Sequence, residues 1–111
     1  MQEEAGLLKI LGDPTRLRLA VLLAERGETC VCYLAQALDE PDYKVSRHLA
    51  VMRSAGLVQA RRQGTWMHYR LSEPKNGFDR HLKDLLRTSL ADHPVAKSDS
   101  ERMSRSTCRT Q

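Results

Sequence analysis

The sequence predicts a mainly α-helical domain with one β-hairpin, in the element order ααααββα. Apolar residues recur at helical spacing in the first half of the chain and again after residue 73, with a strand-like alternation between these regions. From Asp42 to Leu71, six arginines and lysines stand against one acid, although the whole chain carries a net charge of only +4. A concentrated positive region is typical of a surface that binds phosphate groups.

The first two predicted helices form the centre of the fold. The first runs from residue 3 to residue 11 and has one strongly apolar side, and Gly12 ends it. Asp13-Pro14 then provides a capping side chain followed by a proline, which suits the first position of a helix. The second helix continues to Gly27 and is apolar around most of its circumference, so we expect it to be the core helix.

Two helices joined by a tight turn follow. A short helix over 31–38 and a turn over 39–42 precede a basic helix over 43–54. Asp42 is predicted to cap the second of these helices, and Gly56 suits the left-handed position after its end. The pair is typical of a helix-turn-helix motif, whose second helix enters the major groove of DNA.

The segment 57–71 predicts a β-hairpin that turns at Gln63-Gly64. With Arg61 and Arg62 at its tip, directly after a helix-turn-helix, the hairpin is the wing of a winged helix. The last predicted helix, 73–91, carries an apolar stripe that so small a domain cannot cover, so we expect a homodimer. The residues predicted at this interface are Leu7, Leu8, Leu11, Phe78, Leu82, Leu85 and Leu86.

The chain divides into a predicted winged helix domain at 1–91 and a tail at 92–111. The tail is rich in serine, threonine and charged residues and is expected to be flexible, and it carries Cys108. No apolar run approaches the roughly 20 residues of a membrane span, and the acidic start does not resemble a signal peptide. We therefore expect a cytoplasmic protein with no membrane partner.

Three cysteines carry the chemistry of the predicted site. Cys30 and Cys32 lie at the start of the helix-turn-helix, a pattern that in the cytoplasm favours metal binding or redox chemistry over a disulfide framework. Residues two apart on a regular helix point about 200° apart, so both thiols reach one ion only where the helix start unwinds. Cys108, from the same subunit or from the other, is the candidate third ligand, with glutathione or another small thiol as the alternative. Ordinary buried cysteines are the other interpretation of the pair.

Several of these motifs, taken in order, resemble the ArsR/SmtB family of bacterial winged-helix metalloregulators over residues 5–91. The matching segments are Asp13-Pro14-Thr15-Arg16-Leu17, Cys30-Val31-Cys32, Lys44-Val45-Ser46-Arg47-His48-Leu49, Ala55-Gly56-Leu57-Val58 and Tyr69-Arg70-Leu71. The cysteine pair is similar to that of the arsenical-resistance repressors. The resemblance implies a dimer that leaves its operator when As(III) or Sb(III) binds cysteine thiolates, with no organic cofactor. Residues 35–37, Ala-Gln-Ala, lack the third cysteine that the best-known members carry there.

The residues predicted to contact double-stranded operator DNA lie on the basic helix and at the hairpin tip. They are Tyr43, Lys44, Ser46, Arg47, His48, Arg61 and Arg62. Arginine can pair bidentately with guanine, and the other side chains suit phosphates or base edges. Asp79 and His81 are similar to the start of a zinc site of other family members, but Asp92 and Val95 occupy its later positions. We therefore expect no zinc site there.

Three other functions compete with an arsenic-responsive repressor. A thiol redox or persulfide switch on the same fold would respond to oxidants, and a cadmium or lead sensor would respond to those ions. A cysteine-dependent enzyme, such as a small thiol reductase, is disfavoured because the chain has no Cys-x-x-Cys motif, βαβ pattern or glycine-rich phosphate loop. We therefore expect a DNA-binding repressor and not an enzyme.

Overall fold

The computed structural model describes residues 1–108, which form six α-helices and a small sheet of three strands. The helices are α1 (Gln2–Leu11), α2 (Pro14–Arg26), α3 (Val31–Leu38), α4 (Asp42–Ser54), α5 (Gly77–Arg87) and α6 (Pro94–Ser104). The strands are β1 (Thr29–Cys30), β2 (Val58–Gln63) and β3 (Trp66–Leu71), and a single 3₁₀ turn covers Leu90–Asp92. The predicted winged helix-turn-helix is confirmed, and β1 and α6 extend it. Within the described residues, no helix has the length and apolar character needed to cross a membrane.

Helix α2 is the core helix, as predicted. Asp13 caps it, since its Oδ2 accepts a hydrogen bond from the Arg16 amide at 3.0 Å, and Pro14 occupies its first turn. Leu19 and Leu22 of α2 are fully buried, and complete burial of one leucine stabilises a fold by about 1.5–3 kcal/mol. The residues that pack around α2 from the helix-turn-helix and the sheet include Leu34, Leu38, Val45, Leu49, Met52 and Val58.

The turn between α3 and α4 sets the geometry of the helix-turn-helix. Asp39 ends α3 in the left-handed conformation with φ 55°, and the chain then enters α4 through Pro41. The prediction that Asp42 caps α4 is wrong, because Pro41 holds the cap position and Asp42 lies in the first turn. Its carboxylate there faces the positive end of the helix dipole. Gly56, with φ 79°, takes the predicted left-handed conformation after α4.

The three strands form an antiparallel sheet in the order β1-β3-β2. The register between β2 and β3 pairs Gln63 with Trp66, so the hairpin turns at Gly64-Thr65 and not at Gln63-Gly64 as predicted. On the other edge of β3, Cys30 of β1 is paired with His68. The segment that carries Cys30 is therefore a strand of the wing sheet as well as the entry to α3.

Helix α5 is shorter than predicted. It begins at Gly77 because the Asn76 side chain accepts a hydrogen bond from the Asp79 amide at 2.9 Å, which fixes the cap three residues after residue 73. It ends at Arg87, and the 3₁₀ turn after it directs the chain back over α2.

The expectation of a flexible tail from residue 92 is wrong for residues 94–104, which form α6. His93 caps this helix by accepting a hydrogen bond from the Val95 amide at 3.1 Å, and Pro94 occupies its first turn. Helix α6 packs against α2 and α3 through Ala96, Asp99 and Met103, all of which are buried. Residues 109–111 of the predicted tail lie outside the described residues.

A buried ion pair fastens α6 to the core. Asp99 is 1% exposed, and Arg18 of α2 donates to it from Nε at 2.9 Å and from Nη2 at 2.8 Å. These two hydrogen bonds raise the pKa of the Arg18 guanidinium above its ordinary value. A second arginine of α2, Arg26, donates to the backbone carbonyl and hydroxyl of Ser100 and to the hydroxyl of Ser104.

The residues predicted at a dimer interface fall into two groups. Leu11, Leu82 and Leu86 are buried within the single chain, so they belong to its core. The others leave apolar surface on α1 and α5, where Leu8 is 52% and Leu85 is 47% exposed. A cleft of about 490 Å³, lined in part by Leu7, Ile10 and Phe78, separates these two helices.

Candidate nucleic-acid interface and thiol site

Helix α4 presents a cation above an exposed aromatic ring. Tyr43 is 68% exposed, and the Cζ atom of Arg47, one turn further along, lies 5.7 Å from the centre of its ring. This is the geometry of a cation–π contact, which limits the orientations of the guanidinium. Arg47 is therefore held at the exposed surface of α4, the helix that the sequence predicts to enter the major groove.

The other predicted contacts on α4 are more restricted. Lys44 Nζ lies 2.7 Å from a carboxylate oxygen of Glu40. This pairing raises the pKa of Lys44 and lowers that of Glu40 relative to their ordinary values. Ser46 is partly buried. His48 is also partly buried, and its Nδ1 lies 3.4 Å from an Arg16 nitrogen and 3.9 Å from an Asp13 oxygen.

In the wing, the two arginines have different surroundings. Arg61 donates to Glu28 from Nε at 3.0 Å and also contacts the Gln63 side chain, and this pairing lowers the pKa of the Glu28 carboxyl. Arg62 is exposed. The register places both on β2 beside the turn, opposite His68 and Met67. Because Glu28 immediately precedes β1, its bond to Arg61 joins the cysteine segment to the wing.

The structure brings two of the three cysteines together. Cys32, in the first turn of α3, forms a disulfide with Cys108, and their Cα atoms are 6.1 Å apart. Cys30 is a free thiol, 3% exposed, in the cap position before α3. Its backbone is extended, with φ −68° and ψ 143°, so α3 begins only at Val31. The 200° separation expected for a regular helix therefore does not apply to Cys30 and Cys32.

Gln36 is a polar residue of the thiol site that the sequence reasoning missed. Its Nε2 lies 3.0 Å from Cys108 Sγ, 3.4 Å from Cys32 Sγ and 3.0 Å from the carbonyl oxygen of Thr107. The available signal was its spacing of four residues from Cys32, which places both side chains on one face of α3. Nearby, Arg102 of α6 donates to the carbonyl of Ala37.

Neither of the metal arrangements considered from the sequence is assembled among residues 1–108. No three or more His, Cys, Asp and Glu side chains converge there to hold a metal ion. Asp79, the first residue of the zinc-like pattern, is buried and accepts hydrogen bonds from Lys83 Nζ at 3.1 Å and from the Lys75 amide at 3.0 Å. Lys83 also donates to the carbonyl of Ser72, so Asp79 holds the β3–α5 connection in place. His81 is exposed.

Comparisons with known proteins identify relatives of this chain. The family described as bacterial regulatory proteins of the arsR family matches residues 13–60, which run from the cap of α2 into β2. An arsenical resistance operon repressor of Escherichia coli is 58% identical over 66 residues, which is 60% of this chain and 56% of that protein. The chain thus matches little more than half the length of this curated relative.

Solved structures extend the similarity to most of the chain. The transcriptional repressor BigR from Xylella fastidiosa is 34% identical with a TM-score of 0.70, over 84% of this chain and 88% of the other. A homodimeric winged helix-turn-helix DNA-binding domain from Mycobacterium bovis is 31% identical with a TM-score of 0.66, over 84% and 82% of the two chains. These neighbours are regulators and not enzymes. The chain therefore belongs to the arsR family of bacterial regulatory proteins.

Proposed function

We propose that this chain is a cytoplasmic transcriptional repressor that binds operator DNA as a homodimer and is released by As(III) or Sb(III). The observation that carries the proposal is the contact between Cys32 of α3 and Cys108 of the segment after α6, with Cys30 two residues before Cys32 in a strand of the wing sheet. A soft metalloid bound by these thiols acts on both DNA-contacting parts of the fold. The arsenical-resistance name of the Escherichia coli relative supports the choice of inducer.

The donor set suits trivalent arsenic. Soft thiolate ligands select soft ions, and As(III) takes three sulfurs in a pyramid. Reduction of the disulfide would leave Cys32 and Cys108 as two neighbouring thiols. Cys30 is the candidate third ligand because it is a free thiol that lies outside the helix, two residues before Cys32. We expect three sulfurs around bound arsenic in the wild type, which X-ray absorption measures.

The coupling to DNA follows from what each cysteine is attached to. Cys30 is paired with His68 of the wing, and Glu28 next to it binds Arg61. Movement of Cys30 toward Cys32 therefore pulls on β1 and on the wing arginine. Cys32 belongs to α3, which packs directly against the recognition helix α4. A site that spans these elements can favour one arrangement of the wing and the motif over another.

The deciding experiment measures binding of labelled promoter DNA from the protein's own operon with and without arsenite. The reductant is a phosphine, because a dithiol would itself bind arsenite. We expect arsenite to weaken DNA binding by roughly 5- to 150-fold, the range of ordinary coupling between two sites. An equal affinity for the promoter DNA with and without arsenite contradicts the proposed inducer. If only cadmium or lead weakens DNA binding, that ion is the inducer instead.

Arg47 provides the test of the DNA surface. Substitution Arg47→Ala removes the exposed guanidinium that stacks on Tyr43. We expect operator affinity to fall by about 1–3 kcal/mol, or roughly 5- to 150-fold, as for the loss of one bidentate base contact. Lys97→Ala is the matched control, since it removes one exposed positive charge from α6. Equal affinity losses in the two variants would assign Arg47 only a general electrostatic contribution.

A thiol redox switch is the second candidate, and the Cys32–Cys108 disulfide is the observation that favours it. In this reaction the two thiols lose two protons and two electrons to an oxidant such as glutathione disulfide, which leaves as two glutathione thiols. The bond fixes the segment that follows α6 to α3 and thus acts on the same helix-turn-helix. Release of DNA by glutathione disulfide but not by arsenite supports this candidate over the first.

A further inference from the structure

The side-chain amide of Gln36 lies between the two ends of the Cys32–Cys108 connection. Its Nε2 is within 3.4 Å of Cys32 Sγ and within 3.0 Å of both Cys108 Sγ and the Thr107 carbonyl oxygen. A primary amide has two N–H groups, so these three acceptors share two donors. Two of the three acceptors, the Thr107 carbonyl oxygen and Cys108 Sγ, belong to the segment that follows α6.

Within residues 1–108, and apart from the disulfide itself, few contacts hold the segment that carries Cys108. Helix α6 ends at Ser104, and residues 106–108 have no regular secondary structure. The Ser106 hydroxyl donates to the carbonyl of Arg102, which ties the segment to its own helix but not to α3. Ordering the backbone of these residues costs conformational entropy. A donor on α3 that binds both Thr107 and Cys108 offsets part of this cost.

We propose that Gln36 is a positioning residue that presents the thiol of Cys108 to Cys32. By binding the Thr107 carbonyl and the Cys108 sulfur, it raises the effective concentration of the tail thiol beside α3. It occupies the turn after Cys32, the region where the sequence has Ala-Gln-Ala in place of a third cysteine. Gln36 thus holds the thiol of Cys108 close to a position on α3 where this sequence has no cysteine of its own. The consequence for metalloid binding rests on the proposed function, whereas the consequence for the disulfide does not.

The test measures how readily the disulfide forms. In a Cys30→Ser background, the full chain is equilibrated with mixtures of reduced and oxidised glutathione, and the fraction of intramolecular disulfide is read by mass spectrometry after alkylation. Gln36→Met removes both donors at similar volume, while Gln36→Lys restores a donor group. Because Gln36→Met loses hydrogen bonds that hold Cys108 beside Cys32, we expect it to lower the equilibrium constant roughly 5- to 10-fold, and we expect Gln36→Lys to recover most of that loss.

Control variants distinguish a specific effect of Gln36 on the disulfide from a general loss of structure. Gln2→Met, on exposed α1, is the matched control and should leave the equilibrium constant at the wild-type value. The stability of each reduced variant is measured by urea unfolding, and Gln36→Met and Gln36→Lys should be equally stable. An unchanged equilibrium constant in Gln36→Met overturns the inference, as does a failure of the parent chain to form the intramolecular disulfide.

X-ray absorption of the arsenite complexes then separates the inference from the proposed function. We expect three sulfur ligands around arsenic in the wild type and two in Gln36→Met. If the wild type binds no arsenic through sulfur, As(III) is not the inducer. The equilibrium constant for disulfide formation with glutathione still tests the role of Gln36. If the wild type and Gln36→Met both show three sulfurs, Gln36 does not position Cys108 for the metalloid.

Discussion

Replacing Cys32 with serine is expected to abolish the responses of DNA binding both to arsenite and to glutathione disulfide. Cys32 takes part in both mechanisms and joins the other two cysteines, because it is bonded to Cys108 and lies two residues from Cys30. A hydroxyl is a hard ligand that does not replace a thiolate toward a soft metalloid, and it forms no disulfide. The measurement is the ratio of operator affinities with and without each effector. We expect that ratio to fall from roughly 5- to 150-fold to unity.

The other two cysteines distinguish the mechanisms. Cys30→Ser should lose most of the arsenite response and keep the response to glutathione disulfide, because the Cys32–Cys108 pair remains. Cys108→Ser should lose the response to glutathione disulfide entirely and keep a weakened arsenite response through two sulfurs. A full arsenite response in Cys32→Ser would contradict the assignment of the site to α3.

Substitution Arg18→Met is expected to produce the largest loss of stability among the substitutions considered. It leaves the carboxylate of Asp99, which is 1% exposed, with Arg102 at 3.4 Å as its remaining cationic partner. Removing one partner of a buried ion pair typically costs about 3–5 kcal/mol. Because the Arg18 side chain is 31% exposed, we expect a value near the lower end, about 3 kcal/mol. Urea unfolding of the reduced protein measures it.

Two further variants show whether the loss arises from the unpaired carboxylate. Arg26→Met removes hydrogen bonds to the exposed residues of α6 and should cost about 1 kcal/mol or less. The double variant Arg18→Met, Asp99→Leu replaces the pair with apolar groups and should recover most of the stability. A single Arg18→Met variant no less stable than Arg26→Met would show that the buried pair contributes little.

Local signals in the sequence were sufficient for most of the winged helix. The cap at Asp13 with Pro14, the left-handed Gly56 and the alternation in β3 each depend on residues close in the chain. Two elements were missed for opposite reasons. Strand β1 has only two residues and exists because it pairs with β3, nearly forty residues later. Helix α6 buries Ala96, Asp99 and Met103 at helical spacing, but a charged residue in that stripe concealed the pattern.

The candidate site was also predicted only in part, because contacts between residues far apart in the chain leave no local signal in the sequence. Residue types and spacing identified Cys30, Cys32 and the basic surface of α4, and they named Cys108 as a distant candidate. They could not indicate that Asp99 meets Arg18, which is 81 residues away, or that Gln36 meets Cys108, which is 72 residues away. Such contacts depend on where α6 docks, and that depends on the whole core. Arg61 likewise finds Glu28 only once β1 joins the wing.

The bond between Cys32 and Cys108 also changes the topology of the chain. With a sequence separation of 76, it closes α3, the recognition helix, the wing, α5 and α6 into one covalent ring. In the chain-entropy description, a ring of this size restricts the unfolded state by about 4.5 kcal/mol. Proteolysis that proceeds through unfolding is correspondingly slower for the closed ring, a difference that digestion of the two forms measures directly. The thiol balance of the cell would then set how long each molecule of this protein survives.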